Sequence, residues 1–308
     1  MDGFVAQGAM PWIVFNVGLA VGLAIDFGLV SGRTHAIRIK EAVAWNVAWI
    51  VVAVGFAGVM AHFYGREPAT AYLTGYVVER ALSVDNIFVF VIIFRYFGIE
   101  AARQARVLFW GIIGALVMRA VFIVAGAALA NRFDWLMLVF GAFLVYTGVM
   151  LVVKDDNTPP DPGKNLVVRL VGKVLPLDAG PQGEHFFIKA GGRWHGTTLF
   201  VVLLVVATTD FVFALDSLPA ILGITKDPFI LYTSNAFAIL GMRVLYFLLA
   251  AILPKFRFLN VGLALILVFI GVRMLGERWF HISTEITLLL VVGILLGSVV
   301  ASLAIPKR

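Results

Sequence analysis

The sequence predicts an all-α polytopic membrane protein with about nine transmembrane helices and an inverted three-helix repeat. Three observations carry that reading. The chain is 61% hydrophobic and 14% charged, with a mean hydropathy of +0.99, whereas a soluble domain is about half apolar and about a quarter charged. Its apolar residues gather into nine runs, and a bilayer core of about 30 Å takes roughly 20 helical residues per crossing. Three landmarks then recur in the same order on either side of one polar break.

The runs fall at 10–30, 42–63, 70–94, 107–130, 134–153, 198–222, 229–252, 259–275 and 285–305. Gly and Pro inside them do not argue against helix, because both are common in membrane helices. The polar break spans 154–196. Within it KDDNTPPDPGK is a turn-rich linker. NLVVRLVGKVL sets apolar residues around Arg169 and Lys173, as expected of a short amphipathic helix on the inner membrane surface. GEHFFIKAGGRWHG reads as two short strands about a Gly-Gly turn.

The two sides of the break echo each other. ERALSVDNIF holds Glu79, five intervening residues and then Asp85-Asn86, and DFVFALDSLP holds Asp210, five intervening residues and then Asp216-Ser217. Arg119 in VMRAVFI matches Arg243 in GMRVLYF, and Gly148 in LVYTGVMLV matches Gly271 in LVFIGVRML. Repeat A is therefore set at about 70–153, repeat B at about 198–276, with 154–196 as the loop between them. Each unit has three spans, an odd number, so the second enters from the opposite face. Inverted repeats of this kind place a substrate site near the midplane.

The formal net charge is +6, and its distribution explains it. With the N-terminus outside, 16 Lys and Arg fall on the cytoplasmic side. Only Arg66, Arg132, Lys226 and Arg278 fall outside. This positive-inside bias predicts a multi-pass protein of the inner (plasma) membrane with a cytoplasmic loop and C-terminus. The basicity thus reports topology, and no nucleic-acid partner is expected. The start of the chain has no basic n-region and no clear cleavage site, so no removable signal peptide is expected. The chain has no cysteine, which excludes disulfides, thiolate metal sites and thiol redox chemistry of its own.

The acids inside the apolar runs are the chemical signal. An Asp at a helix centre opposes insertion by about 2.5–3.5 kcal/mol on translocon scales, so such groups face the bundle interior, water or a partner. One reading is purely structural: ion pairs of Glu79 or Asp85 with Arg119, and of Asp210 or Asp216 with Arg243. It leaves the matched acid spacing unexplained. At about 100° per residue, Glu79, Ser83 and Asn86 share one helix face, as do Asp210 and Ser217. Asp85 and Asp216 point elsewhere on a regular helix, and Pro219 in DSLPAILG offers an unwound or kinked turn to bring the acids together. Asp26, Thr209 and Asn235 are secondary candidates, with Asn16, Asn46 and Thr208 as packing hydrogen bonds. No histidine has a close His or Cys neighbour, so the donor pool is oxygen, which suits hard cations such as Mn²⁺, Ca²⁺ and Mg²⁺. HExxH, GxSxG and phosphate-loop motifs are missing, and the chain is not expected to be an enzyme.

LTGYVVERALSVDNIFVF, FDWLMLVFGAFLVYTGV, TTDFVFALDSLPAI, DPFILYTSNAFAILGMR and LALILVFIGVRML, with AIDFG and EHFFI, resemble the TerC family, in its long form associated with alkali-inducible manganese export. The resemblance implies a single transporter domain over 1–308. It implies efflux of metal ions, chiefly Mn²⁺ and less readily Ca²⁺ or Mg²⁺, with no prosthetic group. Carried over residue by residue, it assigns metal-site roles to Glu79, Asp85, Asn86, Asp210, Asp216 and Ser217. Arg119 and Arg243 stand as charge partners. Many relatives have a Glu three residues before Asp210, where this chain has Ala207, which puts ion stoichiometry in doubt. With no nucleotide motif, export is expected to exchange metal for entering protons. The other reading the resemblance implies is an assembly factor that helps insertion or metal loading of membrane-protein partners.

Overall fold

The computed structural model describes residues 8–31, 39–153, 166–174, 177–178, 185–190, 193–252, 258–277 and 279–304, and of Asp85 and Asp216 it describes the backbone only. Over its described residues every expected apolar run is helical, the seventh with a break in it. The helices are α1 (Ala9–Ser31), α2 (Ile39–Tyr64), α3 (Arg66–Tyr96), α4 (Ala101–Arg132), α5 (Asp134–Val153), α6 (Leu166–Val174), α7 (Thr198–Leu222), α8 (Pro228–Ile239), α9 (Met242–Ile252), α10 (Leu259–Leu275) and α11 (Thr284–Ala304). By length and composition, α1, α2, α4, α5, α7 and α11 can each cross a membrane. The bent pair α8–α9 makes a seventh if counted as one span. The expected nine spans are thus met as six or seven. Two helices fall short for visible reasons: α10 has only 17 residues, and α3 carries Glu79, Arg80 and Asp85 in mid-helix.

The seventh run is broken where one span was expected. Asp227 caps α8, its Oδ1 accepting from the backbone N–H of Phe229 (2.8 Å) and Ile230 (3.1 Å), with Pro228 at the first helical position. The helix ends at Leu240, and the pair bends by 44°. Gly241 adopts φ +75° under the Trp49 ring, where a Cβ would lie 2.5 Å from Trp49 Cδ1, so only glycine fits both the backbone angle and the space. Pro219, the expected breaking point, does not unwind α7, which runs on to Leu222. Pro219 lies so near the end of α7 that one helical bond is lost and only one turn follows it. Gly223, just past that end, offers its carbonyl to Arg273 Nη1 at 2.8 Å.

Packing places helices from the two sides of the polar break face to face. Gly75 of α3 lies against Ser234 of α8, and Arg80 reaches Ala238, so these helices run side by side in one direction. α4 and α7 do the same, through Phe122 on Phe211 (centroids 5.2 Å) and Gly126 on Leu218 and Leu222. α5 and α10 are antiparallel and close. A Cβ on Gly148 would lie 2.8 Å from the Ala264 carbonyl, and one on Gly271 would lie 2.7 Å from the Gly141 carbonyl. Small residues let membrane helices approach to this distance, where dispersion between backbones replaces the missing hydrophobic drive.

α1 joins through Trp12 and Phe15, which pack on Phe229 and Tyr232. In the polar break, the expected helix is α6. The expected strand pair is β2 (Phe187–Ala190) antiparallel to β3 (Arg193–Thr197), pairing Lys189 with Trp194. A two-residue strand, β1 (Leu177–Asp178), adds in parallel on the other edge of β3. Thr197 closes the sheet and opens α7: its Oγ1 donates to the His185 carbonyl and accepts from Phe200 N–H.

Candidate functional site

The polar face expected of α3 is buried: Glu79, Ser83 and Asn86 all lie inside the bundle, as do Asp210 and Ser217 on α7. Helical spacing alone accounts for this alignment, because residues three, four and seven apart stack on one face. Arg119 of α4 joins the two helices. Its guanidinium pairs with Glu79 through Nη1, and Nη2 lies 3.7 Å from Asp210 Oδ1. Nη1 also donates to Asn235 Oδ1 on α8 at 2.6 Å. Asn86 Nδ2 donates to Asp210 Oδ1 at 3.4 Å. One guanidinium is therefore shared between an acid from each half of the chain.

Two carboxyl groups face one guanidinium here, so with both ionised one negative charge stands in excess in a low-dielectric interior. Several polar atoms here have no hydrogen-bond partner among the described residues: Glu79 Oε2, Asp210 Oδ2, Ser83 Oγ and Arg119 Nε. A buried polar atom left unsatisfied costs about 1–3 kcal/mol. Beside them lies a cavity of about 120 Å³ lined by Asn86, Ser217, Thr147 and the apolar side chains of Leu82, Phe213 and Leu267. The matched Asn86 and Ser217 of the two motifs thus face one space. Among the described residues, no three acidic or histidine side chains gather round one point. The side chains of Asp85 and Asp216 lie outside the described residues, so their part in the site is open in the structure.

The pairing expected for Arg243 is corrected. Arg243 does not meet Asp210. It pairs with Asp26 of α1, Nη2 to Oδ2 at 3.0 Å, also donates to the Asp26 carbonyl, and sits over the Phe109 ring at 5.8 Å. The break at Gly241 places Arg243 on α9, next to α1. Asp26 is thereby an ion-pair partner away from the Glu79–Asp210 pair. Thr209 donates to the Val205 carbonyl of its own helix at 2.8 Å, as does Thr208 to Leu204 at 2.6 Å. Asn16 is exposed and accepts from Tyr232 Oη at 2.8 Å. Asn235 alone of these secondary candidates reaches the central cluster.

Arg80 is the residue that reasoning from sequence passed over. It donates to Asn46 Oδ1 (2.8 Å) and to the carbonyls of Ala238 (3.0 Å) and Leu240 (3.2 Å). A guanidinium at a helix C-terminus meets both the unpaired carbonyls and the negative end of the helix dipole. Arg80 thus holds the broken end of α8 in place. Its signal was an arginine beside Glu79 inside an apolar run, which demands a buried acceptor.

The fold and this site define an integral membrane protein whose polar residues are gathered between helices, away from lipid. The chain belongs to the TerC integral membrane protein family, whose model matches residues 64–308. It is 43% identical over 295 residues to "Uncharacterized membrane protein STKORF319" of Myxococcus xanthus, covering 95% of this chain and 91% of the relative. It is 43% identical over 294 residues to "Putative membrane-bound redox modulator Alx" of Escherichia coli (strain K12), covering 92% and 91%. It is 37% identical over 294 residues to "Uncharacterized membrane protein" of Rickettsia felis, covering 96% and 97%. No solved structure matches the chain.

Proposed function

We propose that the protein exports a divalent metal cation, Mn²⁺ ahead of Ca²⁺ or Mg²⁺, from the cytoplasm in exchange for protons. The observation that carries this is the shared guanidinium: Glu79 and Asp210 come from opposite halves yet meet on Arg119, with one negative charge in excess. A structural ion pair needs one acid per base, and burying a further carboxylate without a partner is strongly unfavourable. A transported cation and a proton are the alternating partners this excess charge calls for. The donors at hand are oxygens of Asp210, Glu79, Asn86 and Ser217, which suit a hard cation. Asp85 and Asp216 complete the set by their matched positions.

The inverted repeat belongs to the same reading. Gly148 and Gly271 are the matched glycines, which makes Ala264 the counterpart of Gly141. The contacts Gly148 to Ala264 and Gly141 to Gly271 then exchange under a two-fold axis, and so do the parallel pairs α3 with α8 and α4 with α7. Counting α3 and α10 as crossings gives nine spans, with the N-terminus outside and the C-terminus and 154–196 loop in the cytoplasm of a cell bounded by its inner membrane. Reporter fusions after Arg308 and within the loop are expected to read as cytoplasmic. An external reading at either point overturns the nine-span arrangement.

The name of the Alx relatives points to redox modulation. This chain has no cysteine, so a redox role would not run through its own thiols. The decisive test is the purified protein alone in liposomes, loaded with a manganese-sensitive dye and held at clamped membrane potential. An imposed pH gradient is expected to drive Mn²⁺ against proton flow, with matching proton movement. Flux indifferent to pH leaves a uniporter, and no flux without a partner favours the assembly-factor reading.

A further inference from the structure

We infer that Arg119 is a tethered counter-cation: it holds the Glu79–Asp210 pair while no metal is bound, and yields that place to the arriving ion by drawing back onto Asn235. This rests on reading the acid pair as the ion site. The charged groups facing the guanidinium among the described residues are Glu79 from α3 and Asp210 from α7, while α8 presents the neutral Asn235. A guanidinium and a metal ion compete for the same carboxylate lone pairs, and like charges in a low dielectric do not share them.

The clamp is incomplete on both acids, since Glu79 Oε2 and Asp210 Oδ2 each have no hydrogen-bond partner among the described residues. Arg119 pairs directly with Glu79 and hydrogen-bonds Asn235 at 2.6 Å, but its approach to Asp210 is 3.7 Å, beyond hydrogen-bond length. Nε has no partner among the described residues, and neither has Asp210 Oδ2. A guanidinium offers five N–H groups in a fixed fork, and Arg119 leaves part of that fork unused. Of the two acids, Asp210 has the looser contact with Arg119, at 3.7 Å, and the 120 Å³ cavity of Asn86 and Ser217 lies nearby.

Arg119 also has somewhere to go. A second cavity of about 10 Å³ is lined by Arg119, Asn235, Ser217, Phe122 and Leu218. That is room for no more than about one water, so it admits a small shift of the guanidinium edge and not the whole group. It lies on the side of the guanidinium that Asn235 already binds. A short swing about the arginine stem therefore loosens the contact to the acids while keeping the bond to α8. Return of the same charge would then push the ion off the acids, giving an exporter what it needs, release as well as capture. Because α8 carries Asn235 and ends at the Gly241 break, that swing pulls on the most bent element of the bundle.

Purified wild-type, Arg119→Gln and Arg119→Lys proteins, each titrated with Mn²⁺, Ca²⁺ and Mg²⁺ by calorimetry and assayed for flux in liposomes, test this. A site blocked by its own competitor binds in proportion to its unblocked fraction, so Arg119→Gln is expected to bind Mn²⁺ about tenfold tighter or more. Its transport is expected to slow, because the ion is no longer displaced. Arg119→Lys is expected to recover much of the flux. Tighter binding with slower flux is a split that loss of a structural brace does not produce. Affinity unchanged or weakened in Arg119→Gln overturns the inference. If that variant does not fold, Arg119→Lys decides: a single ammonium blocks two acids less well than a fork, so its affinity must rise, and an unchanged affinity overturns the inference. Wild-type protein that binds none of the three ions overturns the ion-site reading itself.

Discussion

Asp210→Asn is expected to reduce manganese efflux by roughly 100-fold, the upper end of what loss of even a supporting group costs a metal site, while the protein stays inserted at normal abundance. The charge count makes this variant informative. Removing Asp210 leaves Glu79 paired with Arg119, one acid with one base, so the interior stays balanced. Asn keeps the shape and can still accept from Asn86. What disappears is a charged oxygen with a free lone pair, the kind of ligand a hard cation selects. Glu79→Gln, which leaves Asp210 with Arg119, should behave alike, and Asp85→Asn and Asp216→Asn should also abolish export. Efflux would be read from relief of manganese toxicity and from dye-loaded vesicles, with abundance by immunoblot. Wild-type efflux in Asp210→Asn would reduce the cluster to a structural ion pair.

Gly271→Leu is expected to prevent assembly of the bundle, and Gly271→Ala to destabilise it by about 1–3 kcal/mol, the usual cost of overpacking a close contact. At Gly271 an added Cβ would lie 2.7 Å from the Gly141 carbonyl and 3.0 Å from the Val145 backbone nitrogen. Both neighbours are main chain of α5, so no side chain can turn aside and the helices must part. Gly148 meets the mirror obstacle, the Ala264 carbonyl at 2.8 Å. Gly114→Ala on α4, where a Cβ meets nothing within 4 Å, is the control and should leave stability unchanged. Thermal aggregation of the detergent-solubilised variants separates the cases. A Gly271→Leu protein as stable as the control would show that α5 and α10 do not hold the halves together.

The comparison of sequence with structure has a physical pattern. Composition and run length determined the membrane class, because lipid admits a helix only where about 20 apolar residues follow one another. Helical spacing determined that Glu79, Ser83 and Asn86 share a buried face, as do Asp210 and Ser217, because face sharing is local geometry. Two short strands about Gly191–Gly192 were legible for the same reason: alternation and turn residues act over a few positions.

Which charge meets which was a different matter. Arg119 and Arg243 occupy matched positions in the sequence, yet one bridges the acids of both halves and the other pairs with Asp26 on α1. An ion pair forms where two helices cross, and crossing is set by packing between segments distant in sequence: these pairs join residues 40, 91 and 217 positions apart. The break in the seventh run was hidden likewise. Pro219 announces a break by its chemistry but lies too near a helix end to make one. Gly241 makes the break because Trp49 presses on it and Arg80 satisfies the freed carbonyls. The sequence by itself therefore determined which residues must hide from lipid. Only the tertiary structure decided which partners they hide with, because that depends on contacts no local period encodes.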